Sequence, residues 1–445
     1  MGLMAGLVTA LLCCAPALAA SGVPIDGVLS EPRSALRVND WTLSTAALDA
    51  LLRVVREHKP GVTPSQVVTA AAEDRVLGGY ARRRYDEAKL FAGERVRFSP
   101  QASVEASLAT TLQAAFREPL AKAMGPAEGY IVKRHPLTRE RLVALLDRGG
   151  KLRLDDRLPA ARAAKLKDLP LIDGRVGAQS YRITLYDVWE RQDVQGRDAL
   201  YRFDAGFAMQ QARQLARDRF TLGWAAQNSG LGVAGVEQLR QLVADRNRRN
   251  ALARLLGSGE DTHYSSPEVE RLRRNVEAGA IRKYYDSHKA EFTRTDKVAM
   301  RSMRFVDEAQ ARAVADQLSK GARFEDVMRR RGVARWVDSD AARRSWIAQL
   351  AFAQPPGPAS PPIREPEAGT AAPGWFIVKV DKRVTGLHPP DSETVRFAAS
   401  EAIARQRAAS NFAGLRARLL SEARIEVNPA ALGVRTAPKL LESGL

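Results

Sequence analysis

The hydrophobic period of this chain switches from helical to strand-like at two places, and that limits the class of fold open to it. Up to about Phe292, apolar residues recur every three or four positions, the spacing that gathers them on one face of a helix. From Val298 to Val306, and again from Gly374 to Val380, the pattern is that of a strand. Between them, Asp307 to Ser319 reads as a helix closed by Lys320-Gly321, and Phe324 to Arg331 as a shorter helix. After His388-Pro389-Pro390 the helical period returns. The pattern predicts an α+β fold, mainly helical, with a small α/β segment inserted between helical ones. At 445 residues the chain is long enough for two or three domains, each with its own core.

The helical part can be read in some detail. Leu36 to Asp40 is a short extended lead-in to a helix from Ser44 to His58, whose Leu48, Leu51, Leu52 and Val55 form one face. Pro60-Gly61 ends it, and Thr63-Pro64 starts another, a capping hydroxyl followed by proline in the first turn. Val68, Ala72, Val76 and Tyr80 line that second helix. Val104, Leu108, Leu112, Phe116 and Leu120 recur without a gap and predict one continuous third helix. Thr138 caps a shorter helix bearing Leu142, Leu145 and Leu146, and Gly149 to Gly174 reads as a loop or irregular connection. A brief strand, Tyr181 to Leu185, precedes the helix that holds Val188 and Trp189.

Two long helices are expected at Ala205 to Asn228 and Val233 to Leu256, then one from Ser266-Pro267 toward Phe292 with a break near Gly279. Pro355 to Pro366 is proline-rich loop. The last helix carries Phe412, Leu415 and Leu419, ends near Ala423, and leads to an edge strand at Arg424 to Val427.

Hydrophobic content of 45% with 27% charged residues describes a globular chain and excludes a disordered one. Met1 to Ala20 carry no charge, contain the apolar run Leu7 to Cys14, and end Ala17-Leu18-Ala19-Ala20. That is the pattern of a cleavable secretory signal, too short to anchor in a bilayer. No Lys or Arg precedes the run, which leaves room for a start upstream of Met1. Both cysteines, Cys13 and Cys14, lie in it, so the mature protein is expected without disulfide, thiol chemistry or a Cys-ligated metal. The expected location is therefore outside the cytoplasm.

The net charge of +18 lies wholly outside that segment. Such a charge attracts anionic partners, among them acidic unfolded chains, lipid headgroups and nucleic acid. Arg82-Arg83-Arg84 and Arg329-Arg330-Arg331 sit inside helical patterns, so solvated helix faces account for much of it. Export argues against nucleic acid and leaves acidic unfolded chains and anionic envelope surfaces as the charge-driven partners.

Two apparent motifs fail on their surroundings. Gly230-Leu231-Gly232-Val233-Ala234-Gly235 is a literal GxGxxG, but a dinucleotide site needs a strand before it and a carboxylate about 20 residues on. The preceding element reads as helix and the region of Asn250 offers no suitable acid, so a glycine C-cap between two helices explains the match. The five histidines, His58, His135, His263, His288 and His388, show no metal-ligand spacing, and no serine stands in a nucleophile elbow. No cofactor and no metal is expected.

Four ordered segments point further. IRKYYDSHKAEF (Ile281 to Phe292) leads in. VAMRSMRFVDEAQARAVADQLSKGARFEDVM (Val298 to Met328) supplies a strand, a helix with its Gly stop, and a short helix. AFAQPPGPASPPI (Ala351 to Ile363) supplies a helix end and a Gly-containing turn. GWFIVKVDKR (Gly374 to Arg383) supplies a closing strand. Together they resemble a parvulin-type (PpiC-type) peptidyl-prolyl cis-trans isomerase domain. Val38-Asn39-Asp40, the capped helix after it, and TPSQVVTAAAEDRVLGGYARRR resemble the amino-terminal helical module of SurA-like periplasmic chaperones. The layout then implied is a signal at 1–20, a helical chaperone-like domain at 21–290, a parvulin-like domain at 291–386, and at 387–445 a carboxy-terminal helix packing on the amino-terminal module. Residues from about Phe91 to Gly174 fall outside the resemblance.

The resemblance implies a proline pocket with a His on the first and last strands, a polar loop residue and apolar walls. This chain has Ser302 and Phe376 at the two histidine positions, and no catalytic residue can be assigned. Only Glu325 to Arg335 separate Phe324 from Trp336, which shortens the loop that would bring the polar residue. The position of a pocket Met falls at Ala342 or Arg343, while Trp346, Phe352 and Met303 are the implied substrate-binding residues. Rotation about an X–Pro bond meets a barrier of about 18–20 kcal/mol, and lowering it by about 4 kcal/mol gives roughly a thousandfold acceleration. Three readings stay open: a folding factor that binds unfolded or extended polypeptide with weak or absent isomerase activity, an active prolyl isomerase, and a non-catalytic envelope scaffold.

Overall fold

The computed structural model describes residues 23–92, 99–126, 128–147, 158–259, 266–328, 332–366 and 374–433. The expected signal, His263 and the arginines at 329–331 lie outside them. Two units emerge: residues 1–270 with 407–445, and residues 271–406.

In the first unit, helices begin where the sequence offers an acceptor. Ser44 accepts from the Ala47 N–H at 3.2 Å and starts the helix Thr45–His58. Thr63 and Gln66 form a reciprocal capping box at the head of Pro64–Arg84, with Pro64 in the first turn. The long helices Ala205–Asn228 and Gly232–Leu255 match their expected bounds closely. Between them Gly230 (φ 81°) and Gly232 (φ 66°) hold left-handed backbone, the turn that explains the apparent nucleotide motif.

The third ladder is not one helix. Pro100–Ala115 ends at Phe116, whose backbone (φ −127°, ψ 34°) leaves the helix, and Arg117–Met124 begins anew. Pro119 is the physical cause. It has no N–H for the Ala115 carbonyl and its ring would strike that carbonyl, so it is tolerated only in a first turn. Leu120 still reaches the core at 3% exposure.

Two small sheets complete this unit. The expected loop before Gly174 instead contains the helix Ala160–Lys167 and the strand Pro170–Val176, which pairs antiparallel with Ile131–Arg134 and Gln179–Thr184. In the other sheet, Ile425–Val427 lies between Gly27–Val28, parallel to it, and Ser34–Val38, antiparallel to it. It is an inner strand and not the expected edge, because the first strand of the chain closes over its free side.

A single hydrophobic cluster gathers Leu36, Leu43, Leu108, Leu112, Leu142 and Ile172 with Leu420 and Ile425. Pro64–Arg84 and Gly232–Leu255 approach so closely that a Cβ on Gly78 would lie 2.4 Å from the Asp245 carbonyl oxygen. Their contact is sealed by a reciprocal exchange of charge. Arg75 reaches Asp245 at 2.7 Å, while Arg246 and Arg249 reach Asp74 at 2.8 and 2.6 Å. Asp74 is 0% and Asp245 1% exposed, so these are desolvated pairs.

The second unit is a four-stranded antiparallel sheet in the order Gly332–Asp338, Thr293–Phe305, Trp375–Leu387, Ile363–Arg364. Alternation on its long strands sends side chains to two cores. Val298, Met300, Val378 and Val380 face Ile347, Ala348 and Ala351 of the helix Trp346–Ala353. Met303, Phe305 and Ile377 face Ala311 of Glu308–Ser319 and Phe324 of Phe324–Met328. Asp307 caps the first of these helices, and Gly321 (φ 95°) follows it, as the sequence suggests.

A third cluster joins Tyr285 and Phe292 to Val395 and Ala399, and the Tyr285 hydroxyl donates to the His388 carbonyl at 2.8 Å. The break expected near Gly279 falls earlier, between Pro267–Arg274 and Ala278–Ser287. The helix Glu393–Glu422 supplies Val395 and Ala399 to this unit, and Phe412 and Leu420 to the cores of the other. The chain is thus α+β and mainly helical. Among the described residues no helix is long and apolar enough to cross a membrane.

Candidate functional site

Register decides which of the singled-out side chains meet. Ser302 stands opposite Val378, and Phe376 opposite Arg304, on the paired strands Thr293–Phe305 and Trp375–Leu387. Directly opposed residues of an antiparallel pair share a face, so Ser302 and Phe376 are diagonal neighbours on one face of the sheet. The helix Trp346–Ala353 packs on that same face and brings Trp346 and Phe352 to it. Trp346 meets Phe376 edge-on, with ring centroids 5.1 Å apart and planes at 88°. Both rings and Phe352 are half-buried, while Ser302 is 9% exposed.

Met303 does not belong with them. One residue on from Ser302, it points to the opposite face, is 1% exposed, and packs with Phe305, Phe324 and Ile377. A period of two cannot place neighbours 302 and 303 in one pocket, so Met303 is core and no wall of this site. Ala342 is half-buried against the Trp346 side, and Arg343 is exposed and paired with Asp340.

Three features were hidden from sequence reasoning. Arg304, two residues beyond Ser302, lies 5.9 Å from the Phe376 ring centroid and 3.5 Å from Glu365. A Cβ on Gly374 would sit 2.8 Å from the Arg304 Nε, so that glycine makes room for the guanidinium. Strand alternation from Ser302 could have flagged Arg304. The segment expected as a short loop before Trp336 is instead the edge strand Gly332–Asp338, with Val333 opposite Ser302. Val333 is 57% and Trp336 54% exposed. Lastly, the proline-rich turn is stitched to the sheet: the Gln354 side-chain amide donates to the Pro358 and Val378 carbonyls at 2.8 and 3.0 Å, and Ser360 Oγ accepts from the Val378 N–H at 2.9 Å.

The reverse face is held by charge. Arg301 bridges Asp381 and Glu325, and both carboxylates hold its guanidinium well above the usual arginine range. The Glu325 carboxyl is pulled below its usual range, first by backbone N–H groups at the start of its own helix and then by Arg301.

The Trp346 face therefore offers two crossed aromatic rings, a hydroxyl at Ser302 and a guanidinium over Phe376. Apolar rings suit a prolyl ring by area and shape. The two positions where the resemblance implies imidazole carry a hydroxyl and a phenyl ring, neither of which exchanges a proton near neutral pH. Among the described residues no cluster of His, Cys, Asp or Glu could hold a metal ion.

Residues 276–396 match the family described as the PPIC-type PPIASE domain. A comparison with curated protein sequences gives no match. Among solved structures, one reported for the SurA-like chaperones PEB4 and Cj1289 of Campylobacter jejuni is 14% identical, over 52% of this chain and 87% of that one, at a TM-score of 0.19. The foldase protein PrsA of Lactococcus lactis is 10% identical, over 89% of this chain and 96% of that one, at a TM-score of 0.21. The family match and the sheet with helices on both faces agree, and the chain carries a PPIC-type parvulin domain at residues 276–396 within a mainly helical α+β fold.

Proposed function

We propose that this protein is an exported folding factor that holds unfolded or extended polypeptide, using its PPIC-type domain to dock prolyl segments with little or no acceleration of their isomerisation. The observation that carries the reading is the Trp346–Phe376 pair, an aromatic wall beside Ser302 on a face without imidazole at either expected position. A prolyl ring on that wall gains apolar burial whether its bond is cis or trans. Acceleration needs groups that favour the twisted amide over both planar forms. Export rests on the Met1 to Ala20 signal pattern, and client binding on the family resemblance.

The test is suppression of aggregation of an unfolded client at stoichiometric amounts, followed by light scattering; scattering that does not change sinks the reading. An active isomerase is the second reading. It is favoured by the Ser302 hydroxyl and Arg304, the polar groups on the face that could steady a twisted carbonyl. A scaffold would crosslink to one dominant partner in cell envelopes, and a folding factor to many.

A further inference from the structure

Among the described residues of the unit 1–270 with 407–445, three clefts share walls. One, of about 260 Å³, lies between Asp40 and Leu419 and shares Arg75 and Arg82 with a second of about 440 Å³. The second shares Glu105 and Arg240 with a third of about 390 Å³ that reaches Tyr181 and Arg191. The helix Gly232–Leu255 lines the middle cleft from Glu237 to Arg248. At about 1.5 Å per residue that is roughly 16 Å, the length of about five residues of extended chain. Phe91 and Val104 give the middle cleft apolar surface, and Gln101 and Gln241 give it side-chain amides able to meet a peptide backbone.

Charge distinguishes the clefts. In the middle one three of the four arginines are answered: Arg75 and Arg248 by Asp245, Arg240 by Glu105 and Glu237, while the exposed Arg82 makes no ion pair among the described residues. In the third, Glu105 is the one carboxylate among the lining residues beside Arg191, Arg219 and Arg240, and Arg240 already holds it at 2.9 Å. Arg219 is exposed and makes no ion pair among the described residues; Arg191 is half-buried near the buried Asp218. Val176, Leu222 and Gly223 floor this cleft.

We propose that the three clefts form one track for an extended polypeptide, and that the end cleft at Arg191 and Arg219 selects an acidic residue of that polypeptide. The proposal rests on the reading that the protein holds extended chains, and adds where and with what preference. A carboxylate there meets two guanidinium groups at the mouth of a concave site, where field and partial desolvation strengthen the pairing.

The experiment uses the purified protein and short labelled peptides of serine, valine and leucine, one carrying two glutamates and its twin two lysines, read by fluorescence anisotropy. The glutamate peptide should bind about tenfold tighter at low salt, and the preference should shrink as ionic strength rises. Arg219→Glu with Arg191→Gln should erase the preference, and Arg219→Lys should keep most of it. Arg219→Glu alone, at an exposed position, leaves folding intact and should already halve the preference or more. Equal binding of the twins, or a preference unaltered in the double variant, overturns the track. Suppression of client aggregation, measured on the same samples, separates the two claims. Suppression without peptide preference fells the track and spares the holding function; preference through Arg219 without suppression does the reverse.

Discussion

Replacing Trp346 with alanine asks whether its ring is a docking wall or packing alone. The two rings meet at 5.1 Å and 88°, and both are half-buried. A large aromatic side chain buries about 150–250 Å² in a core, so at half burial about 100 Å² is at stake. At about 25 cal/mol per Å² that is about 2.5 kcal/mol, and loss of the edge-to-face contact adds about 0.5–1.5 kcal/mol. The domain should lose about 3 kcal/mol by urea denaturation and stay folded, since domains commonly hold about 5–15 kcal/mol. A prolyl ring covering about 60 Å² of Trp346 gains about 1.5 kcal/mol, so the variant should bind a proline-containing peptide about tenfold more weakly. Titration calorimetry with that peptide, and with an alanine-for-proline twin, measures both terms. Trp346→Phe keeps a ring and should fall between. Unchanged affinity for the proline peptide, in a variant that shows the stability loss, refutes the docking wall and leaves the rings as core.

Two further outcomes follow from buried charge. Asp74→Ala strands Arg246 and Arg249 beside a desolvated contact, and should cost about 3–5 kcal/mol in urea denaturation; a loss under about 1 kcal/mol would mean that the pairs are solvated. Burial raises the Asp218 carboxyl from 3.8 to about 6 despite hydrogen bonds from Gln214 and Gln113. The folded state therefore keeps a proton that the unfolded chain releases, so this group's stabilising effect is complete below about pH 4 and is lost as pH rises through about 6. A shift of that size is worth about 3 kcal/mol, and Asp218→Asn should flatten the fall in urea midpoint between those pH values; an unaltered slope would contradict the assignment.

The sequence made local order legible and left long-range order hidden. Caps such as Ser44, Thr63 and Asp307 act on residues three positions away, so their signals survive in a single chain. The break at Pro119 is equally local, but the apolar ladder runs unbroken across it and masks the signal. Arg424 to Val427 reads as a strand, but its pairing with Ser34–Val38 spans nearly the whole chain, and three residues carry no pattern that names their partner. The edge strand Gly332–Asp338 has most of its side chains exposed, so it lacks the alternation that betrays a strand. In the candidate site, the structure brings Ser302, Phe376, Trp346 and Phe352, the pocket positions the resemblance implies, to one face. Met303 failed because a neighbour in sequence is an opposite in a strand, and Arg304 was missed for the complementary reason.

The most direct measurement is the slow phase of a proline-limited refolding reaction, which runs over tens of seconds when uncatalysed. With the protein far below the client in concentration, the slow rate should stay unchanged, while stoichiometric protein suppresses the client's aggregation. A slow phase that quickens in proportion to catalytic protein, and returns to the uncatalysed rate with Trp346→Ala, would contradict the account and make the Ser302–Phe376 face an isomerase site.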